Sequence, residues 1–91
     1  MAILTLENMT AEQKEAREAM LSSSISSQVL ACFTRCIQAG GPNGAQIEDI
    51  EEDLYFKANT AAYKSYREHR KEYLEALHTL FGADLLRSRL P

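Results

Sequence analysis

Two arms of helical periodicity run along the chain. Between Ser27 and Ala39 the apolar side chains Val29, Cys32, Phe33, Cys36 and Ile37 recur at three- and four-residue steps, which marks an amphipathic helix face. Further on, Ile47, Ile50, Leu54, Ala58, Ala61, then Ser65 or Tyr66, His69, Tyr73, Leu77 and Leu80 advance almost entirely by threes and fours. This stripe predicts one helix over about 47–81, about 50 Å long at 1.5 Å per residue. Neither arm alternates with period two or carries a Val/Ile/Thr-rich run, so the expected fold class is all-α.

Breakers and caps set the boundaries. The segment GGPNG, 40 to 44, is the clearest breaker and predicts a loop over 40–46. Upstream, Thr10 followed by Gln13 forms a capping box in which each side chain serves the other's backbone N–H. Good helix formers fill 11 to 21, so the first helix is expected over about 11–39. SSSISS, 22 to 27, weakens it, because serine hydroxyls compete for backbone hydrogen bonds. The segment reads as a solvated stretch or slight break in one long helix, or as a polar hinge. Acidic residues Glu48, Asp49, Glu51, Glu52 and Asp53 suit the start of the second helix, and Gly82 stands where a terminating glycine belongs. The architecture expected is one domain over 1–91: two long helices in an antiparallel hairpin, a Gly/Pro loop and a short tail, 82–91.

A two-helix hairpin has one seam, and the apolar side chains outnumber the places in it. Leu30, Phe33, Tyr55, Phe56, Tyr63 and Phe81 cannot all lie there. The surplus predicts a partner face, with Phe33, Tyr55, Phe56, Tyr63, Tyr66, Phe81, Leu85 and Leu86 as its candidates. It also predicts that the isolated chain is molten or self-associates.

Composition narrows the function classes. A chain of 91 residues with 45% hydrophobic and 25% charged residues is one ordinary domain. A net charge of −3 argues against a dedicated nucleic-acid binder. No apolar run is long enough to span a membrane. Neither a secretory signal nor an Arg-rich presequence is legible, so entry into an organelle is expected without a cleaved leader or after its removal. Tyr63, Tyr66 and Tyr73 interleave with Lys64, Arg67, Arg70 and Lys71. Those cations could contact an acidic partner or lipid, but Glu68, Glu72 and Glu75 offer partners along the helix, and a salt-bridged solvated face is the simpler reading. No nucleophile–base pair, phosphate loop or carboxylate dyad stands out, and the expectation is no catalysis and no cofactor.

The two cysteines carry the most specific pattern. Cys32 and Cys36, at i and i+4, share one helix face with Cβ atoms about 5–6 Å apart, whereas a relaxed disulfide needs about 3.5–4.5 Å. An internal bond is therefore strained, and two buried thiols acting as small hydrophobes is the plain alternative. Redox Cys-x-x-Cys and haem Cys-x-x-Cys-His spacings are absent. His69 and His78, nine positions apart, stand too far along one helix to share a zinc ion, so no metal is expected.

With its surroundings, VLACFTRCIQAG followed by DIEEDLYFKA resembles the small Tim family, helical hairpins of the mitochondrial intermembrane space with twin Cys-x3-Cys motifs. CFTRCI fits the first motif. In LYFKA, where the second would fall, Leu54 and Ala58 stand in place of cysteines. The family's two disulfides clamp its hairpin; the resemblance implies that Cys32 and Cys36 close this one by packing on Leu54 and Ala58. Family members form six-membered rings that hold apolar precursors and enter the organelle without a presequence. For this chain the resemblance implies a non-catalytic accessory subunit of a hetero-oligomer, attached to a respiratory-chain or other inner-membrane complex on the intermembrane-space side. Its partners would be other small helical-hairpin chains or subunits of that complex, with no nucleic acid. The alternatives are a small-Tim-type holdase chaperone and an unrelated helical adaptor.

Overall fold

A computed structural model describes residues 8–89. Thr10 and Gln13 form the expected capping box: the Gln13 N–H donates to Thr10 Oγ1 at 3.1 Å, and Gln13 Oε1 accepts from the Thr10 N–H at 2.9 Å. Helix α1 spans Ala11–Met20 and α2 spans Ser24–Ala39. The serine run is the junction between them. Ser23 adopts extended backbone and caps α2 by accepting from the Ser26 N–H at 3.1 Å, while the Ser26 hydroxyl reaches back to the Met20 carbonyl. Serine is a strong N-cap residue, so one continuous helix over 11–39 gives way to two. The freed α1 packs on the far end of the chain, where Gln13 Nε2 donates to the Leu80 carbonyl at 3.2 Å.

The second arm departs further from the hairpin. In place of one helix over 47–81 there are three: α3 (Ile47–Lys57), α4 (Thr60–Glu68) and α5 (Arg70–Phe81). Ala58 and Asn59 are both extended, and Asn59 Oδ1 caps α4 by accepting from the Ala62 N–H at 2.8 Å. His69 forms the second joint, with backbone outside the helical region. The apolar residues on either side of the joints, Ile47, Ile50, Leu54, Tyr66, Leu77 and Leu80, are buried, while at the joints Ala61 and His69 are exposed and Ala62 turns inward instead. All-α is thus the class, with five short α-helices among the described residues rather than two long ones. Together they occupy 33 × 28 × 23 Å, shorter in every direction than the single helix expected for 47–81.

Bending lets α2 pack against both α3 and α4. Val29, Phe33 and Ile37 of α2 meet Ile50 and Leu54 of α3, Ala62 and Tyr66 of α4, and Leu77 and Leu80 of α5 in one core, each with 1% exposure or less. Phe33 and Tyr66 lie with ring centroids 5.6 Å apart, and Tyr73 extends the cluster at 5.8 Å from Tyr66. Leu30 is buried as well. Much of the apolar surplus of a hairpin is therefore consumed inside the chain.

The tail closes onto the GGPNG turn. A 3₁₀ turn over Gly41–Asn43 leads into strand β1 (Ala45–Gln46), which pairs in parallel with β2 (Leu86–Arg87). The Ala45 N–H donates to the Leu85 carbonyl at 2.8 Å. Gly44 makes this approach feasible: its φ is +64°, and a Cβ there would lie 2.0 Å from the Leu85 oxygen. A Cβ on Gly40 would lie 1.6 Å from the Gly44 oxygen, so the turn is glycine-dependent at both ends. Leu86 is buried, and Ser88 and the Arg89 N–H donate to Glu48 at 2.6 and 2.7 Å. Those donors hold the Glu48 carboxyl below its usual range, the Arg89 N–H contributing most. Residues 90 and 91 of the tail lie outside the described residues.

Candidate thiol and carboxylate site and aromatic face

Cys32 projects from α2 into the interface with α3, and Cys36 follows one turn later, half-buried. The residue that meets them is Asp53. The Cys32 thiol donates to Asp53 Oδ2 at 3.4 Å and the Cys36 thiol to the same oxygen at 3.6 Å. Arg35 Nη2 also reaches Oδ2, at 2.5 Å, while Lys57 Nζ pairs with Oδ1 at 3.0 Å. Three donors thus converge on one carboxylate oxygen. Leu54, adjacent to Asp53 in sequence, is fully buried, and Ala58 is half-buried on the core's edge. Helix α3 thus also presents a carboxylate to the thiols, while Leu54 shares the buried core with Cys32 and Ala58 lines the cleft beside it.

The electrostatics follow from this arrangement. The Lys57 ammonium and then the Arg35 guanidinium hold the Asp53 carboxyl down at about 2. Burial, reinforced by the hydrogen bond to Asp53, pushes the Cys32 thiol up to about 12. Burial and the neighbouring Asp53 charge push Cys36 up as well. Both thiols are therefore neutral donors at physiological pH and poor nucleophiles. A cleft of about 200 Å³ opens beside Cys32, lined by Gln28, Ala31, Arg35, Lys57 and Ala58.

On the other side of α3 a second carboxylate makes a related arrangement. The Tyr66 hydroxyl donates to Glu51 Oε2 at 2.6 Å, and Arg70 Nε pairs with that oxygen at 2.5 Å. Burial, then the Glu51 hydrogen bond, raises the Tyr66 phenol well above its usual range. Arg70 thus pairs across helices rather than along its own. Arg67 leans on Tyr63, its guanidinium carbon 6.0 Å from the ring centroid, while Lys64 and Lys71 are exposed.

The candidate partner residues divide sharply. Phe33, Tyr66 and Leu86 are buried in the chain's own core, and Tyr63, Phe81 and Leu85 are half-buried against it. Tyr55 and Phe56 stand out at 60% and 72% exposed. They pack edge-to-face at 5.0 Å, and Tyr55 meets Tyr63 in the same way at 5.1 Å, making one aromatic face across α3 and α4. His69 and His78 are exposed, and His78 Nε2 lies 3.2 Å from the Leu86 carbonyl. Among the described residues no helix is long and apolar enough to cross a membrane.

Asp53 is the candidate site residue that spacing did not single out. Its charge already had an explanation in the helix dipole, and the family resemblance pointed to Leu54 and Ala58 as the residues facing the thiols. Protein-family models, curated proteins and solved structures yield no match to this chain.

Proposed function

We propose that the protein is a non-catalytic docking module, an accessory chain that binds a partner through Tyr55, Phe56 and the edge of Tyr63. The observation that carries this reading is the exposure of two adjacent large aromatic rings, where among the described residues the other large apolar side chains are buried or half-buried except Leu21 at 41%. Aromatic clusters of this kind are typical binding anchors, since they offer large area at low entropic cost. Arg67 lies over Tyr63, and Lys64 and Lys71 carry further positive charge on α4 and α5. That setting suits a partner with apolar side chains and acidic neighbours, such as one face of an amphipathic helix.

The narrower placement rests on the Cys-x3-Cys resemblance alone. It makes the partner a subunit of an inner-membrane assembly facing the mitochondrial intermembrane space, or another small Tim-like chain. The five-helix packing differs from the hairpin such kinship implies, so the aromatic face supports the docking role more directly than the resemblance supports the address.

Affinity purification of the tagged chain, followed by mass spectrometry, tests both levels. The variants Phe56→Glu and Tyr55→Ser should lose the co-purifying partner while melting within about 0.5 kcal/mol of wild type, because both side chains are exposed. Unchanged partners would remove the face from the account. Inner-membrane subunits among them support the narrower placement; a chain found alone in the cytosol overturns it.

A further inference from the structure

From the convergence of Cys32, Cys36 and Asp53, we infer that this protein carries a divalent metal site of the thiolate–carboxylate type, suited to Zn²⁺. The two Sγ atoms and the Asp53 oxygen all lie within 4.8 Å of one another. With Zn–S bonds of about 2.3 Å and Zn–O bonds of about 2.0–2.2 Å, a tetrahedral ion sets its S···O edges near ~3.6 Å and its S···S edge near ~3.8 Å. The observed S···O separations are 3.4 and 3.6 Å. The two sulfurs, no more than 4.8 Å apart, need approach by only ~1 Å or less to complete the triangle.

The surroundings suit such an ion. Two thiols one turn apart on α2 present both sulfurs from one rigid element, and α3 supplies the third ligand from a helix already packed against it. Asp53 Oδ2 faces both thiols, leaving Oδ1 to its bond with Lys57, the outer contact that orients a ligating carboxylate. Arg35, whose side chain is 56% exposed, is the group that must leave Oδ2 when the ion enters, and solvent is open to it. The cleft lined by Gln28, Ala31 and Ala58 gives an entry path and room for a fourth ligand, water in the isolated protein. Binding replaces two S–H protons by two S–Zn bonds, and both protons go to the buffer. Neither a disulfide nor an oxidant is involved. The inference is independent of the docking role, because the site lies between α2 and α3 and does not use Tyr55 or Phe56.

The test is titration of the reduced full chain with Zn²⁺ against a competing chelator, with Co²⁺ as the spectroscopic probe. One ion per chain is expected, with a rise in melting temperature, release of about two protons at neutral pH and the absorption of tetrahedral cobalt–thiolate. Cys32→Ser and Cys36→Ser should each weaken binding by about 100-fold or more, and Asp53→Asn by about tenfold or more. Glu51→Gln, on the other side of α3, should leave it unchanged. Cys32→Ala and Cys36→Ala, with circular dichroism melts in the absence of metal, separate lost ligation from lost folding. Binding indifferent to Asp53→Asn overturns the proposal, as does half an ion per chain in a dimer, since sulfurs from two chains would then form the site. No binding at micromolar Zn²⁺ by a folded, reduced chain also overturns it.

Discussion

Helix α3 holds two carboxylates two residues apart, and they solve the same physical problem with different materials. Glu51 accepts from a buried phenol and is neutralised by Arg70; Asp53 accepts from two thiols and is neutralised by Arg35 and Lys57. In both places a polar atom at the edge of the core would otherwise lack a partner, and leaving it unpaired costs about 1–3 kcal/mol. The difference lies in what the donor can become. Tyr66 is fully buried, stacked on Phe33 and Tyr73, and makes one strong hydrogen bond, so its arrangement serves packing. The thiols form longer, weaker bonds beside an open cleft, and a soft ion can replace their protons. One side of α3 is a fastener and the other has the makings of a site.

The sharpest way to break the comparison is to remove the phenol side. Tyr66→Ala should destabilise the chain by about 3–5 kcal/mol, because a large ring leaves a cavity between α2 and α4. Tyr66→Phe keeps the ring and should cost only about 0.5–1.5 kcal/mol, Arg70 still satisfying Glu51. Chemical denaturation of the two variants checks this. Equal losses would mean that the hydrogen bond, not the ring, holds the fastener.

How much of this was legible beforehand depends on how local each cause is. The Thr10–Gln13 box, the GGPNG turn and the stop at Gly82 are signals within a few residues, and each operates in the structure, Gly82 donating its N–H to the His78 carbonyl at 2.8 Å. The break at Ala58 and Asn59 had a local signal as well, since asparagine followed by threonine is a good helix start. The uninterrupted apolar stripe masked it, and the same stripe carried the expectation of one long helix past His69. The pairing of β1 with β2 involves two residues on each side and a separation of about forty positions, so no periodicity announces it. Asp53 is harder still: that α3 brings this carboxylate to the thiols depends on a rotation of the helix that only the packed core decides. The buried Phe33, Tyr66 and Leu86 follow from the same bends, which create interfaces a straight hairpin lacks.

On the thiol side the carboxylate's contribution is read in acid. Asp53 has its folded carboxyl lowered to about 2, below the unfolded value of about 3.9. Its contribution is therefore present above pH 4 and is lost as pH falls from about 4 through 2. In metal-free buffer Asp53→Asn should cost about 1–2 kcal/mol at neutral pH, and the gap between variant and wild type should close as the pH approaches 2. Urea midpoints across that window measure it. A gap that stays constant down to pH 2 would show that the carboxylate's charge contributes nothing and only its shape matters.

A further effect lies in base, where the two weak acids can be told apart by the order in which they titrate. The Cys32 thiol is raised to about 12 in the folded chain, against about 8.5 unfolded, and the Tyr66 phenol is raised above its ordinary value of about 10. For a raised group the stability is fully present below the unfolded value and declines as pH climbs toward the folded one. The metal-free wild type should thus begin to lose stability above about pH 8.5 through its thiols and more steeply above about pH 10 as the phenol joins. Cys32→Ala should flatten the first part of that decline, while Tyr66→Phe flattens only the second. Denaturation midpoints read from pH 7 upward separate them, and a variant pair that flattens the same part would erase the distinction between fastener and site. The thiol limb also bears on ligation. An ion that holds Cys32 and Cys36 as thiolates removes their protons before the titration starts, so saturating Zn²⁺ should abolish the first decline and leave the second in place.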